Sequence, residues 1–262
     1  MLTPWHLPIL FGTPWHLAII FGTGLAAGFV DSIAGGGGLI TLPVLLSLGL
    51  DTKHALGTNK LQASFGSGTA AWHYARAGAV SLKDCIGGFL WSLTGAALGS
   101  WAVDKGDPSL LKKAIPILLI AVALFTLLKP QLGERDVRPR MKRGLFDLLF
   151  GLTIGFYDGF FGPGTGTFWT MAFMLCVGLN MTRATGATKV MNFASNLSSL
   201  AFFLSAGKVL FLQGLLMGLG QLIGARIGAG MVIERGTKFI RPIFISVVFA
   251  VTMRVLYLAY AK

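Results

Sequence analysis

Charge is what this 262-residue chain has least of. Asp, Glu, Lys and Arg make up 12% of it against 54% apolar residues, only ten side chains are acidic, and the mean hydropathy is +0.71. A soluble domain has to show water a polar surface, so this composition excludes one. The apolar runs recur from start to end with one strongly charged interruption, which leaves no room for a separate soluble domain. Cysteine is almost absent too. Cys85 and Cys176 both lie in apolar runs without CxxC or metal-ligand spacing and read as small packing residues. HExxH, GxSxG and Walker A patterns are missing, and GPGTGTF at 162–168 lacks the lysine and preceding strand of a phosphate loop. These absences argue against an enzyme and imply no cofactor and no metal.

A formal charge of +12 suggests nucleic acid at first sight. The basic residues fall between apolar runs, however, where positive loops fix the orientation of a membrane protein, and no aromatic stacking platforms interleave them. Nucleic acid is therefore not an expected partner; the lipid bilayer is. The opening TPWHLPILFGTPWHLAIIFG writes a ten-residue unit twice without a basic n-region or a small-residue cleavage site, so residues 1–20 are not read as a signal peptide. His6 and His16 belong to that repeat and are assigned no function.

Ten apolar segments are expected, at 12–34, 37–50, 54–75, 84–103, 110–129, 144–161, 164–179, 184–206, 209–232 and 240–261. The second and seventh are short, about 14 residues or ~21 Å of a ~30 Å hydrocarbon core. Each follows a glycine-rich break, DSIAGGGG at 31–38 and DGFFGPGTG at 158–166, where glycine freedom and the missing amide of Pro163 disfavour continuous helix.

The breaks are copies of one another. GFVD at 28–31 matches GFYD at 155–158, LGLDTKHALGTNKLQ at 48–62 matches VGLNMTRATGATKVM at 177–191, and from Gly49 to Val80 the offset is a constant 129 residues. The chain thus reads as a first repeat, 1–128, a charged linker, 129–143, and a second repeat, 144–262. If all ten segments cross, twelve basic loop residues lie on one face against six on the other; if the short segments dip in and return, the asymmetry nearly vanishes. The positive-inside rule favours ten crossings. The expected fold is an all-α integral membrane protein with two inverted five-segment repeats, the linker cytoplasmic and both termini outside.

Within the apolar segments stand two matching polar strips. Thr58, Asn59, Lys60 and Gln62 correspond to a second-half strip containing Thr188, Lys189, Asn192 and Asn196. A lysine at a helix centre costs ~2.5–3.5 kcal/mol on insertion scales, so two in matching places need a reason. One reading lets them snorkel to the headgroups, about 10 Å away; another pairs them structurally with Asp31 or Asp158. The functional reading joins them to the free N–H groups and positive dipole ends at the breaks, Gly35, Gly36, Gly37 and Gly38 in one half and Gly164, Thr165 and Gly166 in the other. The result is a donor-rich cluster with few carboxylates, suited to an oxyanion. Asp31 and Asp158, just before the breaks, are candidates for proton coupling, counter-charge or helix capping. Arg226 in GQLIGARIGAGM is a third intramembrane cation, lining a cavity or reaching the interface; its glycines read as close helix packing.

With these motifs in view, the chain resembles the TauE/SafE family of sulfite and organosulfonate exporters, in its YfcA-type branch. The resemblance rests on DSIAGGGGLITLPVLLSLGL and ALGTNKLQ in the first half and GPGTGTFW and ATGATKVMNFASN in the second, and spans about residues 20 to 260. It implies a bacterial inner-membrane secondary transporter with two inverted repeats, moving small sulfur oxyanions or organosulfonates outward as a homodimer, with the breaks and polar strips at its site. The alternatives are an anion channel, a transporter of another small anion such as a carboxylate, and a non-transporting scaffold. A cation transporter is disfavoured by the scarcity of membrane carboxylates, namely Asp31, Asp158 and Asp147.

Overall fold

A computed structural model describes residues 14–105 and 133–236, with isolated positions between 238 and 253. The predicted fifth segment, most of the tenth, the start of the linker and residues 1–13 of the duplicated N-terminus lie outside the described residues. Among the described residues every regular element is helical: α1 (Pro14–Ala34), α2 (Gly37–Ser47), α3 (Thr52–Arg76), α4 (Ile86–Lys105), α5 (Arg143–Phe160), α6 (Thr165–Ala172), α7 (Met181–Ser205) and α8 (Phe211–Arg235). A 3-10 turn, Lys83–Cys85, leads into α4, and a wider π turn, Phe173–Val177, ends α6.

Helix starts follow local chemistry. The Asp51 side chain accepts from the N–H groups of Lys53 and His54 and caps α3; Asn180, its counterpart, accepts from the N–H of Arg183 and caps α7. α2 and α6 are short because glycine stops the preceding helix. Gly35 has φ +70°, and a Cβ there would stand 2.5 Å from the Cα of Gly166, so the two breaks touch at a point that admits no side chain. The Thr167 hydroxyl donates to the carbonyls of Ala34 and Gly35, both at 3.3 Å, and so joins the start of α6 to the end of α1.

Helices pack across the halves more closely than within them. On α1, Gly24 and Gly28 lie against the backbone of Met217 and Gln221 of α8; in return Gly220 and Gly224 of α8 lie against Phe21 and Leu25. The same exchange joins α4 to α5, with Gly95 and Gly99 against Leu152 and Phe156, and Gly155 and Gly159 against Ser92 and Ala96. Missing side chains on both partners let backbones approach, and dispersion with Cα–H···O contacts replaces interlocking side chains. The register of these contacts fixes direction. α1, α3 and α8 run one way, with Gly214 on Leu61 and Gly218 on Phe65; α4, α5 and α7 run the other, with Gly186 on Tyr74 and Gly68 on Phe193 marking the antiparallel contact of α3 and α7.

Among the described residues, three helices are long and apolar enough to cross a bilayer, over Trp15–Ala34, Lys83–Lys105 and Phe211–Arg235. Their outward faces carry Trp15, Leu90, Trp101, Leu212 and Leu219, all exposed. α3 and α7 are as long but too polar to meet that criterion, and their central polar residues, from Thr58 to Gln62 and from Thr185 to Asn192, are buried against the other helices. After Gly133 the linker is strapped to the second half: Val137 N–H donates to the Gly178 carbonyl, Arg140 and Met141 N–H to that of Cys176, and Asp136 accepts from Asn180 N–H and from Arg183. Burial pushes the Asp136 carboxyl up, but the Asn180 N–H and the Arg183 guanidinium outweigh it and hold it below the ordinary carboxylate range.

A Cβ at Gly224 would collide with the Leu25 carbonyl, whereas at Gly22 nothing lies within 4 Å. Gly224→Ala is expected to cost about 1–3 kcal/mol, at ~2–4 °C of melting temperature per kcal/mol, while Gly22→Ala leaves stability unchanged or slightly raised. Thermal unfolding of the two variants in detergent compares them directly.

Candidate functional site

The two lysines do not snorkel. Lys60 and Lys189 are 1% and 0% exposed, among the largest fully buried side chains. Each reaches across to the other half. Lys60 Nζ donates to Asp158 Oδ1 at 2.7 Å and to the Asp158 carbonyl at 2.6 Å; Lys189 Nζ donates to Asp31 Oδ2 at 3.2 Å. An ammonium in a low-dielectric interior needs a carboxylate, and both pairs supply one; Lys60 gains a further bond to the Asp158 carbonyl. Asp158 Oδ2 accepts from the Ser195 hydroxyl. Asp31 Oδ1 accepts the N–H groups of Gly36 and Gly37, at 3.0 and 3.2 Å, which caps α2. The expected cluster poor in carboxylates is thereby corrected. Two aspartates sit among the donors, because lysines this deep are not stable without them. The free amides expected at Gly36 and Gly37 are likewise taken by Asp31.

Between the pairs lies a cavity of about 30 Å³. Of the residues singled out from sequence, it is lined by Asp31, Gly36, Gly37, Gly38, Asn59, Lys60, Asp158, Gly164, Thr165, Gly166, Asn192 and Asn196. The others stand behind this wall. Gly35 makes the crossing of the breaks. The Thr58 hydroxyl accepts the N–H of Leu210 at the start of α8, and the Thr188 hydroxyl meets that of Thr170 at 3.1 Å. The Gln62 side chain donates to Asn59 Oδ1 at 2.7 Å, and Lys189 is committed to Asp31.

Three carboxamides give the cavity its character. Asn59 Oδ1 accepts from the Thr41 hydroxyl, at 2.5 Å, and from Gln62, so its orientation is set and its NH2 lies on the side of Gly38. The NH2 of Asn192 lies beside Gly166 and that of Gln221 beside Gly37; no hydrogen bond joins any of the three NH2 groups to another described residue, and the Asn192 Oδ1 and Gln221 Oε1 atoms are buried without a partner among them as well. Gly38 and Gly166 are the second residues of α2 and α6, where an N–H has no intrahelical acceptor. A polar space lined by unused N–H groups offers hydrogen bonds to an acceptor of small size.

Gly162 of the second break lines the cavity too, and Gln221 and Ala63 line it without having been singled out. The signal for Gln221 was there: among Gly214, Gly218, Ala225, Gly228 and Val232 on the buried face of α8, Gln213 and Gln221 are the two large polar residues, and Gln221 is the one away from the helix start. Arg226, the conspicuous charge on that helix, is exposed on its other face and does not line the cavity. His54 pairs with Asp51 at 2.5 Å at the start of α3, away from the cavity. Asp147 pairs with Arg143 one turn earlier on α5, at 2.8 Å.

The profile described as sulfite exporter TauE/SafE matches residues 20–255. The chain belongs to the sulfite exporter TauE/SafE family. Among its relatives in that family are a "Probable membrane transporter protein" of Haemophilus influenzae, 44% identical over 89% of this chain and 92% of the relative. Another is the "Probable membrane transporter protein ORF9" of a Sinorhizobium species, 46% identical over 88% of each chain. The "Probable membrane transporter protein YfcA" of Escherichia coli K12 is 41% identical over 89% of this chain and 87% of its own. No solved structure matches the chain at a significant level. TauE/SafE proteins of this branch are membrane transporters rather than enzymes, and this chain is one of them.

In this TauE/SafE member the buried pairs can be tested for their energetic role. Lys60→Met leaves Asp158 charged and buried with the Ser195 hydroxyl, and is expected to cost about 3–5 kcal/mol. Lys60→Met combined with Asp158→Leu removes both charges and recovers most of that loss. Melting temperatures in detergent decide it: a double variant no more stable than the single one would mean the pairing is not what holds the lysine.

Proposed function

We propose that the chain is a secondary transporter that exports small sulfur oxyanions, sulfite or organosulfonates, by alternating access at the cavity between its halves. The observation that carries this reading is the set of unused N–H groups of Asn59, Asn192 and Gln221 around a buried cavity where both helix breaks meet. A tetrahedral or pyramidal oxyanion accepts from several such donors at once, and midplane sites at broken helices are where secondary transporters hold anions. The family name and the descriptions of the relatives favour a transporter of this class.

Helix direction supports two inverted repeats with ten crossings. α1 and its counterpart α5 point opposite ways, as do α3 and α7, and α4 and α8. On this reading the linker is cytoplasmic, both termini are periplasmic, and the protein works in the bacterial inner membrane as a homodimer. The ion pairs suit alternating access, because each joins a lysine of one half to an aspartate of the other. Rocking of the halves loosens one pair without stripping both lysines of their partners. Asp31 and Asp158 thus serve as counter-charges and, if protons are coupled, as the groups that would carry them.

In proteoliposomes, flux of sulfite or a small sulfonate is expected to saturate, show counterflow and slow steeply in the cold, and to fall at least ~10-fold in folded Lys189→Ala protein. Single-channel currents without counterflow would favour a channel, and undiminished flux in the variant would remove Lys189 from the site.

A further inference from the structure

We propose that the cavity selects its guest by charge: it takes singly charged oxyanions in preference to doubly charged ones, and Asp31 sets that preference. This inference rests on the reading of the cavity as the anion site and adds to it the charge class of the substrate.

The charge inventory carries the first step. Four ionic side chains face or flank the cavity, Lys60 and Lys189 against Asp31 and Asp158, and their formal charges cancel. The phenols nearby are neutral donors already in use, Tyr74 to the Ser32 carbonyl and Tyr157 to the Pro163 carbonyl. The remaining buried pair, Arg143 with Asp147, is at the opposite end of α5 from Asp158. An incoming anion therefore meets no surplus positive charge. It meets dipoles: the NH2 groups of Asn59, Asn192 and Gln221 and the N–H groups of Gly38 and Gly166.

Dipoles and charges scale differently. The attraction of an anion to fixed N–H dipoles grows in proportion to its charge, whereas the cost of removing it from water grows with the square of that charge. With the same set of neutral donors, a monoanion is thus favoured over a dianion carrying the same head, and net positive charge at the site lowers the penalty on the dianion. The lysines cannot supply one while their aspartates hold them, since a lysine drawn to the guest would leave a carboxylate buried and uncompensated.

The two aspartates are not equivalent. Asp158 is 6% exposed and spent on Lys60 and Ser195; Asp31 is 18% exposed, its pair with Lys189 is the longer one, and it lines the cavity beside Gly36 and Gly37. A second negative charge on the guest would face Asp31 first. Neutralising Asp31 would give the cavity one net positive charge and lift the penalty on dianions.

Methanesulfonate and sulfate carry similar heads with one and two charges at neutral pH, so the full-length protein in detergent can be titrated with each and followed by thermal shift. Wild type is expected to bind methanesulfonate about tenfold or more tighter than sulfate, and Asp31→Asn to shrink that ratio to below about threefold or reverse it. Equal affinities in wild type, or an unchanged ratio in Asp31→Asn, would overturn the proposal. Should Asp31→Asn fail to fold, wild type decides alone. Sulfite loses its second proton near neutrality, so its apparent affinity should fall on the alkaline side while that of methanesulfonate stays level. A level response to both would overturn charge selection. If none of the three anions binds, the anion-site reading itself fails; if sulfate binds as well as methanesulfonate, only the charge selection does.

Discussion

A buried ammonium in lipid has to keep a carboxylate within reach, and in this chain that requirement is met across the boundary between two copies of one motif. Lys60 finds Asp158 and Lys189 finds Asp31, 98 and 158 residues away in sequence. Neither half can satisfy its own lysine with these partners, so each needs the other. The glycine faces do the same work for shape that the ion pairs do for charge. Gly24 and Gly28 admit α8, Gly95 and Gly99 admit α5, and the close backbone approach brings the breaks together at Gly35 and Gly166. If either were lost, the lysines would be left facing hydrocarbon.

Much of this was legible in the sequence, for reasons that differ by feature. Helix positions could be read because apolar runs end at strong local signals: Asp51 and Asn180 as caps, Gly36 and Gly164 before the short helices. The polar strips could be read because a lysine amid small apolar residues has no cheap place in a bilayer. What could not be read was the identity of each partner. Repeat alignment makes Lys60 equivalent to Lys189 and Asp31 to Asp158, but equivalence does not say whether pairing is within a half or across. That depends on which helices neighbour which, and helical periodicity reports a face, never its neighbour.

Gln221 and Arg226 illustrate the same limit from opposite sides. Both stand in a glycine-rich helix, and charge draws attention to Arg226, yet Arg226 is exposed while Gln221 is 1% exposed at the cavity. A guanidinium on an outward face can extend along the helix toward headgroups, so its cost is modest. A carboxamide on the small-residue stripe is held where backbones meet and has no such escape. The quieter residue was the one under the stronger constraint.

The halves also depart from one another at the place where they matter most. By the GFVD and GFYD match, Gly36 corresponds to Pro163, which has no N–H to give. Asp31 receives the Gly36 amide; Asp158 receives the Ser195 hydroxyl instead, and at the position equivalent to Ser195 the first half has Gly66, with the Gln221 carboxamide packed against it. In the alternating-access reading proposed above, two copies that met the same need by identical bonds would make the inward-open and outward-open arrangements equal in energy. Here one aspartate is held by two backbone amides and a longer lysine contact, the other by a hydroxyl and a shorter one. Exchanging the roles of the halves therefore exchanges unlike pairs. On that reading one arrangement lies lower than the other before any substrate binds, and a guest moves the equilibrium only by what it gains in one arrangement beyond the other.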